Sequence, residues 1–221
     1  MYQTVLLDLD GTLTDSGEGI FNCVEYALEK FGIKVENRES LRRFVGPPLM
    51  KSFQTYYAFS DEQAAEAVKY YRERYRDVGL FENVVYDGIV EMLRELSEKG
   101  MDLIVATSKP ETFTLRIMDH FDLAKYFTLI VGSDDEKGRN TKGKVIAHAL
   151  TTYAKQKDIS LEKAKEQAIM VGDRHHDVDG AKENGIETVG ILWGYGDREE
   201  LVSAGAKYIA ELPEKVVEIL N

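Results

Sequence analysis

The sequence has a single cysteine, Cys23, among 221 residues. No disulfide can form within the chain, and a reducing compartment fits that composition. Long apolar runs are also missing. None reaches the ~18 residues of a membrane-spanning helix. The opening MYQTVLLDLDG lacks the basic-then-apolar layout of a signal peptide, so a cytoplasmic protein is expected. Cations are scarce: 28 Lys and Arg against 39 Asp and Glu leave a net charge of -11. This argues against nucleic acid and anionic membranes as partners, because both need a basic surface. An anionic substrate would have to be held locally, by a metal or a few placed cations. There is no internal repeat, low-complexity tract or long linker.

What is present is an ordinary globular mix, 43% hydrophobic and 30% charged, long enough for one large domain or a main domain with an insert. Short apolar runs rich in Val, Ile and Leu recur at Val5–Leu9, Leu103–Ala106, Leu129–Val131, Ile169–Val171 and Thr188–Ile191, with Tyr208–Ile209 a possible sixth. They do not alternate, as expected of strands covered on both faces. Helical patterns separate them at Ile89–Lys99, Glu111–His120, Lys142–Ala154, Val178–Asn184, Arg198–Ala204 and Glu214–Leu220. Alternation of this kind predicts a doubly wound, Rossmann-like parallel α/β sheet, with ligands outside the carboxyl ends of its strands. Residues 16–85 break the alternation. They read as helices over Gly17–Phe31, Arg38–Phe44, Leu49–Tyr57 and Asp61–Val78, with Gly46-Pro47-Pro48 as a forced break. The predicted organisation is therefore a core of residues 1–15 and 86–221, with an all-helical cap domain over 16–85.

Four groups of residues carry chemistry. Asp8 and Asp10 end the first strand, two apart and so on one face, and Gly11 allows a sharp turn. Alone, such a pair also fits a polar strand end. Asp173 and Asp177 follow a second apolar run in GDRHHD, and several carboxylates converging at strand ends suit a hard cation such as Mg²⁺. Thr107, Ser108 and Lys109 follow a third strand, where hydroxyls and free N–H groups at a helix start make a phosphate seat. Lys142, in RNTKGK, can bring positive charge to a phosphate, with Lys144 as the alternative. His175 and His176 fall in the loop with the acids. Trp193-Gly194-Tyr195-Gly196 follows another strand and either borders the site or packs.

In order along the chain, DLDGT, TSK, RNTK and GDRHHD resemble the four motifs of the haloacid dehalogenase superfamily of phosphohydrolases. The helical insert, LRRFVGPPL and GILWGYG resemble its phosphoglycolate-phosphatase-like and 5′-nucleotidase-like members. The resemblance spans the whole chain. It implies that Asp8 attacks phosphorus and becomes an aspartyl-phosphate, and that Asp10 gives a proton to the leaving oxygen and takes one from water. It implies Mg²⁺ held by Asp8, the Asp10 carbonyl and Asp173, with Asp177 beside it. Thr107 would bond the phosphate and Lys142 offset its charge. Asp10 favours an oxygen leaving group, since the dehalogenases and phosphonate-cleaving members lack an acid there. In the cap, Arg43, Gly46, Pro47 and Lys51 are candidates for substrate contact. The expected substrate is a small phosphorylated metabolite, phosphoglycolate or a nucleoside monophosphate, and the expected state is monomer or homodimer. A phosphomutase of the β-phosphoglucomutase type shares this core. A phospho-acceptor signalling module fits poorly, because the acceptor here follows the first strand and a long helical insert comes next.

Overall fold

In a computed structural model, residues 2–221 are described. The chain divides into two compact units. One joins the residues up to Thr14 to Val85–Asn221, and the other is Asp15–Val84.

The strands are β1 (Thr4–Leu7), β2 (Thr14–Asp15), β3 (Val84–Val85), β4 (Asp102–Pro110), β5 (Leu129–Ser133), β6 (Ala168–Gly172), β7 (Glu187–Ile191) and β8 (Tyr208–Ala210). Six form one sheet in the order β5-β4-β1-β6-β7-β8, and β2 and β3 pair separately. Every pairing in the six-stranded sheet is parallel. Thr4–Leu7 aligns with Asp102–Val105 on one side and with Ala168–Val171 on the other. The strand order thus reverses around β1, which sets the carboxyl ends of β1, β4 and β6 side by side at the switch point where such sheets bind ligands.

Burial of both sheet faces explains the unbroken apolar runs. Leu6, Ile104, Ala106, Val131 and Met170 share one cluster with Val145, Ile146, Ala149, Leu150 and Tyr153 of the helix Lys142–Lys157. The helix Ile89–Glu98 buries Ile89, Met92, Leu93 and Leu96 at helical spacing. Among the described residues, no helix is long and apolar enough to cross a membrane.

Two element ends differ from the sequence reading. β1 stops at Leu7, not Leu9, because the Leu9 carbonyl accepts from the N–H groups of Thr12, Leu13 and Thr14 and folds the chain into a tight turn. β4 runs on to Pro110, carrying Thr107-Ser108-Lys109 within it, by shifting register against β5 between Ala106 and Pro110.

The Asp15–Val84 unit contains the helices Gly17–Glu29, Leu49–Tyr57 and Asp61–Arg74. Ser60 and Gln63 form a reciprocal capping box at the start of the third. Arg38–Phe44 is a 3-10 segment rather than an α-helix. Its buried residues, Leu41 and Phe44, are three apart, the spacing that a 3-10 turn places on one face. The predicted helix over Asp61–Val78 ends at Arg74 and widens into a π-turn over Tyr75–Gly79. That widening points both Tyr75 and Gly79 inward, with Tyr75 stacked on Tyr71 at 5.2 Å between ring centroids.

Candidate active site

The site grows out of three neighbouring strand ends. Asp8 directly follows β1, and its N–H continues the ladder to the Val171 carbonyl at 3.0 Å. Gly11 then adopts φ +82°, and a Cβ there would lie 2.2 Å from Asp173 Oδ2. Only glycine combines that backbone with that approach. Asp173 follows β6 and is fully buried. Asp177, also buried, lies in the first turn of the helix His175–Glu183, where its Oδ2 accepts from the Arg174 N–H at 3.1 Å. Lys142 opens its own helix because the Thr141 side chain caps that end, accepting from the Lys144 N–H at 3.3 Å. Gly180 leaves room for the lysine stem, since a Cβ there would meet Lys142 Cγ at 2.8 Å.

Lys142 is the hub. Its Nζ lies 2.7 Å from Asp8 Oδ1 and 2.7 Å from Asp177 Oδ1, and it donates to the Ala106 carbonyl at 3.0 Å. Beyond the lysine, neither of these buried Oδ1 atoms has a hydrogen-bond partner. Burial works against the Lys142 charge, but Asp177 and Asp8 more than offset it and hold its pKa above the normal lysine value. Burial pushes the Asp8 carboxyl up to about 6, tempered by the Lys142 ammonium and a hydrogen bond from Thr107, and reinforced by Asp177. Asp173 is raised well above the carboxylate range by burial and by the charges of Asp177 and Asp8, although the Tyr195 N–H donates to its Oδ2 at 2.8 Å.

These features fit a hard divalent cation. Asp8, Asp173 and Asp177 each offer one oxygen, all within 4.8 Å of one another. The three carboxylates and one ammonium leave a formal charge of two minus, which one divalent ion would cancel. The donors are oxygens only, which favours Mg²⁺ over softer metals.

Thr107 and Lys109 stand two apart on β4, as Asp8 and Asp10 do beyond β1. The two dyads pair in step. Thr107 meets Asp8, and Lys109 Nζ grips Asp10 at 2.9 Å to Oδ1 and 2.6 Å to Oδ2. Ser108, between them, is half-buried and stands outside this set. Lys144 turns away to Asn140 Oδ1 at 3.0 Å, so Lys142 is the lysine that reaches the acids. Arg43 and Gly46 belong to the Asp15–Val84 unit. There the Arg43 guanidinium lies over the Tyr56 ring, 4.1 Å from its centroid, and Gly46 takes φ +101°.

Further groups support these residues, and one of them, Glu200, escaped the sequence reading. The Thr12 hydroxyl lies 3.4 Å from Asp173 Oδ1, and the Trp193 indole N–H donates to the Thr12 carbonyl at 3.0 Å. Trp193 therefore holds the turn that carries the acids. Glu200 receives Arg174 Nε at 2.9 Å and the His175 N–H at 2.8 Å, and pairs with the His175 ring at 2.7 Å. His175 and His176 begin a helix rather than lying in a loop. Burial, with His175 and Arg174 beside it, pushes His176 down to about 4.

Comparison with known proteins follows from this geometry. The model of the haloacid dehalogenase-like hydrolases matches residues 5–191. A 5′-nucleotidase from Pseudomonas aeruginosa is 42% identical over 200 residues, covering 90% of this chain and 87% of its own. Tyrosine-protein kinase PtkA from Mycobacterium tuberculosis is 40% identical over 194 residues, which cover 88% of this chain but only 63% of the kinase. A crystal structure of a predicted phosphatase from Clostridium acetobutylicum superposes with a TM-score of 0.88 at 46% identity over 99% of both chains.

Proposed function

The chain belongs to the haloacid dehalogenase-like hydrolase family and is a phosphoric monoester hydrolase, and from that premise we propose that it cleaves a small phosphorylated metabolite, phosphoglycolate or a nucleoside monophosphate, through an aspartyl-phosphate on Asp8. The observation that supports this most directly is the buried Asp8 carboxylate paired at 2.7 Å with the buried Lys142 ammonium, beside two further buried acids.

In this reading an Asp8 oxygen attacks phosphorus and the bond to the ester oxygen breaks. Asp10 delivers its proton to that oxygen, so the alcohol leaves neutral. A water then attacks the same phosphorus. Asp10 takes its proton, the bond to Asp8 breaks, and inorganic phosphate leaves with Asp8 restored. Lys142 offsets the negative charge of Asp8 against an anionic substrate, the main requirement in phosphoryl transfer. The Thr107 hydroxyl, which bonds Asp8, would bond a phosphate oxygen, with Ser108 as a further contact. Asp8, Asp173 and the Asp10 carbonyl would hold Mg²⁺, with Asp177 beside them, and the ion would neutralise charge on the transferring group. Arg43 and Gly46 are proposed to select the ester. The proposed setting is cytoplasmic, as a monomer or homodimer without nucleic acid or membrane partners, in keeping with the acidic composition.

Asp8→Asn tests the chemistry. It should abolish Mg²⁺-dependent hydrolysis of p-nitrophenyl phosphate and leave the far-UV circular dichroism spectrum unchanged. Full activity in that variant overturns the mechanism. A panel of phosphorylated metabolites ranked by kcat/KM tests the substrate. A second reading, transfer to an acceptor other than water as in a β-phosphoglucomutase-type mutase, draws support from the relative named as a tyrosine kinase. Phosphate release measured against sugar-phosphate isomerisation and protein labelling separates these outcomes.

A further inference from the structure

Lys109 is the one lysine of the TSK segment, and its side chain is only 5% exposed. A buried ammonium needs a partner, and here that partner is both oxygens of Asp10, at 2.9 and 2.6 Å. Its backbone is pinned on each side. The Lys109 N–H donates to Thr107 Oγ1 at 3.3 Å, and its carbonyl accepts from Thr114 Oγ1 at 3.4 Å. Across from that carbonyl stands Gly132, where a Cβ would sit 2.7 Å away. The lysine stem therefore starts from a fixed point.

Asp10 by contrast follows no regular strand. It lies in the tight turn after Leu9, half-buried, and the terminal torsion of an aspartate is intrinsically broad. Left alone, its carboxyl would sweep through a range of orientations. A proton relay cannot tolerate that, because effective transfer requires the carboxyl oxygen within hydrogen-bond reach of the reacting oxygen.

We propose that Lys109 is a positioning residue for Asp10, holding its carboxyl in the orientation from which it serves the leaving oxygen and then the water, rather than a contact for the substrate phosphate. This rests on the role given to Asp10 above. The two contacts supply the means. When one Asp10 oxygen carries the transferred proton, the ammonium keeps the other, so the carboxyl stays oriented in both half-reactions. Thr107 and Lys109 then divide the work of β4: one addresses the nucleophile, the other the proton carrier.

The experiment compares wild type, Lys109→Met, Lys109→Gln, Lys109→Arg, Asp10→Asn and the Lys109→Met/Asp10→Asn double variant, all in saturating Mg²⁺. Each is assayed for kcat/KM on p-nitrophenyl phosphate, phenyl phosphate and an alkyl phosphate. Proton donation matters little for a good leaving group and much for a poor one. Lys109→Met should therefore lose less than ~10-fold on p-nitrophenyl phosphate and ~100-fold or more on the alkyl ester, general acid catalysis being worth roughly 10²–10⁴. Asp10→Asn should show the same trend, and adding Lys109→Met to it should cost less than ~3-fold more. Lys109→Arg should recover part of the alkyl-ester activity. Equal losses on all three esters, or a full additional loss in the double variant, would overturn the proposal and assign Lys109 to the phosphate itself. Lys109→Gln answers the same question if the methionine variant does not fold, and melting curves identify that case. Failure of the underlying mechanism looks different: acid-quenched wild type would carry no phosphate on Asp8.

Discussion

Replacing Lys142 with methionine keeps the length and packing of its stem but removes the cation that touches two of the three clustered acids. At an effective dielectric near 20, each 2.7 Å contact with Asp8 and Asp177 is a gross attraction of ~6 kcal/mol. The acids repel one another by at least ~3.5 kcal/mol per pair at separations within 4.8 Å. Desolvation of the lysine cancels much of the attraction, so the measured loss should match other buried pairs broken on one side, about 3–5 kcal/mol. For a chain of this length that is on the order of a 10 °C fall in melting temperature. The assay is thermal unfolding of wild type and Lys142→Met in EDTA and in saturating Mg²⁺, at pH 5 and pH 8. The deficit should be largest in EDTA at pH 8. It should shrink at pH 5, where protons relieve the repulsion, and shrink again in Mg²⁺, where a divalent charge replaces the missing one. A variant that melts within 2 °C of wild type in EDTA at pH 8, with ~2–4 °C expected per kcal/mol, would refute the reasoning.

Other outcomes follow from single contacts. Gly11→Ala puts a Cβ 2.2 Å from Asp173 Oδ2 at φ +82°, so calorimetric titration should show Mg²⁺ affinity at least ~10-fold weaker, with ~1–3 kcal/mol of stability lost to strain; wild-type affinity would refute this. Trp193 is the sole tryptophan and its indole holds the Thr12 carbonyl, so its fluorescence should change as Mg²⁺ is added to wild type and stay flat in Asp173→Asn. In the helical unit, Arg74 donates to both oxygens of Glu82 and holds its pKa below the normal value. A depressed carboxylate stabilises the fold above its unfolded pKa and loses that contribution as pH falls through the folded one. Glu82→Gln should therefore cost about 1–2 kcal/mol at pH 7 in urea unfolding, and nothing well below pH 4; a deficit that persists in acid would count against the ion pair.

The sheet was readable because burial on both faces writes itself into the sequence as runs of Val, Ile and Leu, and strand ends were less so. Nothing local announces that the Leu9 carbonyl takes three N–H groups, or that β4 can slip its register and continue through Lys109 to Pro110. The helix Leu161–Glu166 passed unnoticed because only Ala164 is buried in it, which leaves no apolar period to detect. Its sole signal is Ser160, which caps the Lys163 N–H at 3.2 Å. Among the site residues, the acids, Thr107 and Lys142 were legible because their types and spacing are unusual for strand ends. Glu200 was not. It reaches Arg174 and His175 from another helix, and sequence carries no sign of such a long-range partner. The sequence sets Lys109 beside a phosphate seat and carries no sign of its pairing with Asp10.

The division of the chain at Thr14 and Val85 has a further consequence. All six strands of the main sheet, and every acid and lysine of the triad and the Asp10 pair, lie outside Asp15–Val84. The two points where the chain leaves and returns are neighbours, because β2 and β3 pair there. The intervening seventy residues are thus a single insertion between two adjacent points of the chain. A change of length or sequence within it leaves the order and register of the six-stranded sheet as they are.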